Sequence, residues 1–432
     1  MDFMLIEFKV KNFTSFKDEA VFSMVSSENL TEKLCKNRVE IDKDFHLLKV
    51  ASIFGANASG KSNLLIALNF VKRFMKNSMR DFGGIDTELT FLLDDVSKNN
   101  PTEFELSFLM SEKVITYSFS LQNGRVISEH LYCDELLVFK REKDKIIRYS
   151  TDFFNVKEEM DLKFSLTNSD SLFLTVLAMT NTKLAKEILD YVSKNIRFFS
   201  GHEGNRAYCT KKIIKEGKNG KAKILDLLKV ADFSITNLDV KQHEFEVRTP
   251  NGIPEELIER AKKDAQDEAN RLKSEHNIYD SNGNVIGNKL FDVEKFESRG
   301  TGVFLSLAGP IVETIENSGV LVIDEVDASL HPLVTKYLID LFNSNSNKGA
   351  QLIITSHNPS ILDKNLLRKD QIWFVEKDEL EVSHLTALSE YKFNEAETPK
   401  KYTEKYLRGN FGAIPYIKNN DSYGNLVRKL RG

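Results

Sequence analysis

Cysteine is scarce: Cys35, Cys133 and Cys209 are the only three in 432 residues. They lie too far apart for a zinc knuckle and are too few for a disulfide framework, which suits a chain working in a reducing cytoplasm. Long apolar runs are missing too. No stretch approaches the roughly 20 residues of a membrane helix, so no membrane contact is expected. The opening MDFMLIEFKVKNF sets Asp2 and Glu7 among its apolar residues and alternates with period two, the pattern of a strand and not of a signal peptide. Neither charge dominates. Lys and Arg total 60 against 64 Asp and Glu, a net charge of -4, which excludes a surface coated in basic charge for nucleic acid. What remains is an ordinary globular composition, 41% hydrophobic and 29% charged, on a chain long enough for about two to three domains.

Ile6, Phe8 and Val10 alternate with polar residues ahead of Asn12, Phe13 and Phe16, predicting an opening hairpin. Leu47 to Phe54 reads as a strand that enters a glycine loop, and the apolar-rich stretch from Asn63 to Met75 as the helix that follows. From Thr102 to Tyr149 the pattern alternates and is aromatic, with Asn123-Gly124 as a turn signal, which predicts an antiparallel sheet. Residues 151 to 200 read as mixed and helical. The segment 211 to 223 carries six lysines against one glutamate, a local basic patch that could meet DNA or form a solvated face. Residues 255 to 272 place Leu257, Ala261, Ala265, Ala269 and Leu272 on one side of a short helix. No internal repeat is visible.

Gly55-Ala56-Asn57-Ala58-Ser59-Gly60-Lys61-Ser62 has the Gly-x-x-x-x-Gly-Lys-Ser spacing between a strand and a helix. The glycines let backbone N–H groups face phosphates, and the helix N-terminus, with Asn63 in its first turn, adds partial positive charge. Lys61 is expected to pair with β- and γ-phosphate oxygens, and the Ser62 hydroxyl to ligate Mg²⁺.

The apolar run from Gly319 to Ile323 ends in Asp324-Glu325, the form of a buried parallel strand whose carboxyl end faces a ligand. Asp324 is expected to hold magnesium through water, and Glu325 to act as general base toward the attacking water. Ser62 and Asp324 lie 262 residues apart, so a large segment separates two halves of one nucleotide site. Upstream, Glu297-Ser298-Arg299-Gly300-Thr301 precedes a helix-like stretch, placing Ser298 and Gly300 at a helix N-terminus able to meet an anion. Downstream, Val326-Asp327-Ala328-Ser329-Leu330-His331-Pro332 leads into a second helix, with Pro332 in its first turn. Leu352-Ile353-Ile354-Thr355-Ser356 then delivers His357, a candidate donor to the γ-phosphate.

In their order these motifs resemble the ABC-type ATPases of the SMC, RecF and OLD groups. The resemblance implies an α/β head, a mixed sheet plus an antiparallel β subdomain, with an inserted helical region. Phe13-Thr14-Ser15-Phe16, Pro101 to Leu106, and the tail from Tyr406 to Pro415 are similar to bacterial AAA ATPases of phage defence, the AbiLi and RloA group and the AriA component of PARIS. The division implied is an N-lobe over 1–150, a mainly helical regulatory insert with a short arm over 151–290, a C-lobe over 291–390 and a tail over 391–432. Two departures stand out: the signature is Glu-Ser-Arg-Gly-Thr, leaving the role of Arg299 open, and no glutamine precedes Gln122 to supply a Q-loop. In such families Ser298, Gly300 and Thr301 of one copy cap the ATP held by the other, making a homodimer or higher oligomer bridged by nucleotide. The defence resemblance implies a separate toxin or nuclease subunit, of TOPRIM or RloB type. The competing expectations are a RecF-like repair ATPase stimulated by duplex DNA and a nucleotide-gated scaffold without turnover.

Overall fold

The computed structural model describes residues 3–27, 34–79, 89–154, 157–200, 207–231, 233–241, 270–328, 330–391, 400–414 and 430. Along the chain come β1 (Phe3–Lys11), β2 (Ala20–Ser23), β3 (Arg38–Asp42), β4 (Phe45–Leu48) and β5 (Val50–Phe54), and then α1 (Lys61–Asn77). Five strands follow: β6 (Thr102–Met110), β7 (Lys113–Gln122), β8 (Arg125–Cys133), β9 (Leu136–Glu142) and β10 (Lys145–Tyr149). Helices α2 (Lys157–Ser165), α3 (Phe173–Met179) and α4 (Lys183–Asn195) lead to β11 (Ile196–Ser200), and α5 (Tyr208–Glu216) and α6 (Lys218–Val230) to β12 (Asn237–Lys241). Next are β13 (Arg271–Tyr279), β14 (Val285–Asp292), α7 (Val293–Phe296), α8 (Arg299–Glu316), β15 (Val320–Asp324) and α9 (Pro332–Phe342). The last elements are β16 (Gln351–Ser356), β17 (Ile372–Lys377), β18 (Ser383–Ala387) and α10 (Lys400–Leu407).

Seven strands form an antiparallel sheet in the order β10-β9-β8-β7-β6-β1-β2, and six form a mixed sheet in the order β11-β15-β16-β5-β17-β18. Within the mixed sheet only the β17–β18 pairing is antiparallel. Its inner strands are continuously apolar because both faces are covered. On β15, Val320 and Val322 enter the core shared with α1 and the antiparallel sheet, whereas Leu321 and Ile323 enter the opposite core beneath α8 and α9. This alternation leaves no solvated face to mark the strand as amphipathic. The two sheets are tied by Gln351, whose amide donates to the Leu5 and Leu48 carbonyls (3.0 Å each) and accepts from the Leu5 N–H (2.6 Å).

The architecture agrees with the expected α/β head, with local detail that the sequence did not show. The strand expected from Leu47 to Phe54 is split at the buried Lys49: β4 pairs with β3 while β5 joins the mixed sheet. The lysine Nζ donates to the Ser344 carbonyl at 2.9 Å. The described residues of 151–290, expected as an inserted, mainly helical region, add strands β11 to β14 to the helices and contribute to both cores. Phe173, Leu177, Ile188 and Val192 pack with α1, β11 pairs with β15, and α5 packs on α8. There the Thr210 hydroxyl enters the α8 ladder one residue before Pro310, donating to the Leu305 carbonyl (2.6 Å) and accepting from the Gly309 N–H (2.8 Å). The short helix read over 255–272 lies almost entirely outside the described residues, and its final Arg271 and Leu272 open β13.

Candidate functional site

Parallel strands leave their carboxyl ends on one side of a sheet, and ligands of open α/β sheets gather there. In this sheet the order β15-β16-β5-β17 sets four chain segments side by side at that edge. They are Asp324-Glu325 after β15, His357 after β16, the glycine loop after β5, and Lys377 closing β17. A cleft of about 590 Å³ is lined by Asn57, Ala58, Ser59, Gly60, Lys61, Ser62, Asn63, Glu325, His357 and Lys377.

Steric contact explains the loop's glycines. A Cβ on Gly55 would stand 2.4 Å from the Val375 carbonyl oxygen. Gly60 has φ +111°, and a Cβ there would stand 2.3 Å from Ser383 Oγ and 2.8 Å from Ser15 Oγ. Those serines form the back wall of the loop. Ser383 Oγ donates to the Ser59 carbonyl (2.6 Å) and accepts from the Ser15 hydroxyl (2.7 Å), and Asn63 Nδ2 donates to Ser15 Oγ (2.7 Å). Lys61 folds back so that its Nζ donates to the Gly55 and Ala56 carbonyls, both at 2.9 Å. Burial lowers its pKa to about 8 against the pull of Asp324, Glu325 and Asp327. Gly55 and Ala56 thus shape the base of the loop and do not line the cleft.

The acidic pair is held by β16. Thr355 Oγ1 donates to Asp324 Oδ1 (2.5 Å) and accepts from the Glu325 N–H (2.7 Å), while the Val326 N–H bonds the Thr355 carbonyl (3.1 Å). This grip keeps Glu325 at φ 53°, an uncommon value for a residue other than glycine and one found at functional sites. Asp327 accepts from the His357 N–H at 3.0 Å. Burial, followed by the charge of Lys61, depresses the His357 pKa, so the ring is neutral near pH 7.

Ser298, Gly300 and Thr301 are not among the residues lining this cleft. They open α8, where Ser298 is the N-cap and its Oγ accepts from the Thr301 N–H at 3.1 Å. The preceding Glu297 is fixed by β13, accepting from Ser274 Oγ at 2.5 Å and bonding His276 Nε2 at 2.8 Å. In the lysine run Lys211 is buried, Lys212 pairs with Glu216 at 3.7 Å, and Lys223 pairs with Glu316. Among the described residues no group of three or more His, Cys, Asp or Glu could hold a metal, and no helix is long and apolar enough to cross a membrane. Sequence reading missed Lys377, Ser15 and Ser383 as parts of the site.

A glycine-lysine-serine loop before α1, an acidic pair ending a parallel strand and an antiparallel sheet packed over that helix make an α/β head with the arrangement of a P-loop site. The chain belongs to the family described as "AAA domain, putative AbiEii toxin, Type IV TA system", whose model matches residues 50–363. No curated protein matches it in sequence. Among solved structures it is similar to the SMC head domain from Thermotoga maritima, with 14% identity, a TM-score of 0.43, and coverage of 89% of this chain and 98% of that one. The Smc head domain with an extended coiled coil, derived from Pyrococcus furiosus and bound to the C-terminal domain of ScpA, has 14% identity and a TM-score of 0.43 over 95% of this chain and 100% of that one. An SmcHead bound to the C-winged helix domain of ScpA has 14% identity and a TM-score of 0.44, over 89% and 98%.

Proposed function

We propose that this chain binds and hydrolyses ATP, that ATP pairs two copies head to tail, and that the pairing is a switch in antiviral defence acting on a separately encoded toxin or nuclease. One observation carries the reading: segments up to 300 residues apart converge on one cleft that joins an anion-binding loop to a carboxylate and a neutral histidine. In it Lys61 leaves its two backbone carbonyls for the β- and γ-phosphates, a trade of neutral acceptors for charged ones. Glu325 polarises the attacking water, and His357 donates to the γ-phosphate. The Ser62 hydroxyl and the Asp324 carboxylate are hard oxygen donors that suit magnesium. A magnesium ion held by these two groups would supply charge neutralisation to the phosphates.

Ser298, Gly300 and Thr301 reach the phosphate from a second copy, a reading supported by their helix N-terminus standing away from their own chain's cleft. ATP is then an interfacial bridge that hydrolysis removes. Residues 151–290 are the regulatory part, since Thr210 sits in the ladder of the helix that carries the signature. The family's description supplies a toxin–antitoxin context; the defence role and the separate effector come from the resemblance to phage-defence ATPases. Glu325→Gln tests both levels. The variant is expected to bind ATP, accumulate as a dimer in light scattering, lose at least about 100-fold in turnover and fail to restrict phage plating. Rapid turnover by it removes Glu325 as base, and undiminished protection separates defence from hydrolysis.

A further inference from the structure

Lys377 stands in the cleft with no role in the chemistry described above. We infer that its ammonium group binds the part of the nucleotide that is kept after hydrolysis, the α- and β-phosphate end, and not the γ-phosphate. This rests on the reading of the cleft as an ATP site.

Position in the sheet sets the division of labour. Crossing the carboxyl edge, Glu325 follows β15, His357 follows β16, the phosphate loop follows β5, and Lys377 ends β17. Neighbouring strands lie about 4.8 Å apart, so Lys377 is on the far side of the loop from the two groups that would act on the γ-phosphate. A phosphate chain lying along the loop with its γ end toward Glu325 and His357 therefore has its other end toward Lys377.

Two contacts fix this geometry. The first glycine of the loop packs against the Val375 carbonyl, two residues before Lys377. Ser383, directly opposite Lys377 in the β17–β18 register, donates to the loop's Ser59 carbonyl at 2.6 Å. Lys377 is thus carried on a strand bolted to the loop at two points. Among the described residues its ammonium has one ion pair, a loose one with Glu381 at 3.5 Å, and that partner is itself well exposed. Lys61 is spent on the loop's own carbonyls until phosphate arrives, and the lowered His357 is neutral. Lys377 is the remaining cationic side chain among the residues lining the cleft.

The test is calorimetric binding of ATP and of ADP, each with magnesium, to full-length wild type, Lys377→Ala, Lys377→Arg and Lys61→Ala. For Lys377→Ala both affinities are expected to fall by a similar factor, on the order of ten-fold for one charge-assisted contact. Lys377→Arg restores most of the binding, because it keeps the positive charge. Loss of ATP but not ADP affinity places the ammonium at the γ-phosphate and overturns the inference. So does wild-type binding of both by Lys377→Ala while Lys61→Ala binds neither. Normal binding by Lys61→Ala instead overturns the ATP reading of the cleft, and this inference falls with it. A thermal melt matching wild type identifies the Ala variant as folded, and Lys377→Arg carries the test where it does not.

Discussion

Lys61 concentrates the electrostatics of the site in one side chain. Burial drives its pKa down from 10.5 to about 8, with Asp324, Glu325 and Asp327 pulling the other way. In the unfolded chain the lysine holds its proton up to about pH 10, so between 8 and that value folding releases protons. The site's contribution to stability therefore rises with pH through that window, and its cost is felt in full below 8. Nucleotide phosphates reverse the shift, because an opposite charge beside a buried ammonium favours the charged form. ATP binding is expected to take up about half a proton per site at pH 8, more at pH 9 and little at pH 7. Affinity should weaken as the pH climbs beyond 8. Titration calorimetry in buffers of differing ionisation enthalpy measures the uptake, and a value unchanged from pH 7 to 9 removes Lys61 as the titrating group. Lys61 itself was legible in sequence because loop, lysine and serine are contiguous and the spacing is their chemistry. Lys377, Ser15 and Ser383 were not, because only the tertiary fold brings these distant segments to the loop.

At the scale of elements, legibility followed periodicity. The alternating strands from β6 to β10 and the helix after the loop were plain, since one face of each is buried and the other wet. β11, five residues of IRFFS between helical stretches, was read as helical ground because a short strand at a sheet edge has too few residues to show a period. The most consequential polar element was hidden as well. On β8 and β9, Glu129 and Arg141 face each other across the register, 0% and 1% exposed, on the same faces as the buried Leu131 and Phe139, although their charge alone suggests solvent. The Glu129 carboxylate accepts from Tyr117 Oη and from the Phe173 and Leu174 N–H groups, each at 2.8 Å. It thereby caps α3 and docks that helix on the antiparallel sheet, while Arg141 donates to the Ser171 carbonyl at 2.7 Å. Glu129→Ala leaves a buried guanidinium unpaired and two helix N–H groups without acceptors, so it is expected to cost about 3–5 kcal/mol. Urea unfolding checks the figure. The Glu129→Ala/Arg141→Met pair should cost clearly less than the two single changes summed, because the stranded charge is gone. Additive losses would mean that the pair does not act as one unit.

For the whole molecule the question is whether one chain is a complete site. Its cleft gathers the loop, the carboxylate and the histidine, and leaves Ser298, Gly300 and Thr301 outside. Ser298 also has a duty within its own chain, since its hydroxyl caps α8. Loss of activity in a Ser298 variant alone therefore cannot separate a folding defect, about 1 kcal/mol for a missing cap, from loss of a contact to a second copy. Mixing two dead proteins separates them. Lys61→Ala keeps its signature and lacks a phosphate lysine; Ser298→Arg keeps its loop and lacks a signature. In a head-to-tail pair, one of the two composite sites then joins the intact loop of the second protein to the intact signature of the first, and the other site is doubly dead. With random exchange half the pairs are mixed, so an equal mixture should recover about a quarter of wild-type hydrolysis per chain. A site completed within one chain predicts no recovery at any ratio, because neither protein then holds a full set of groups. Recovery that depends on total protein concentration would further tie turnover to pairing, as mass action requires of a site split between two molecules.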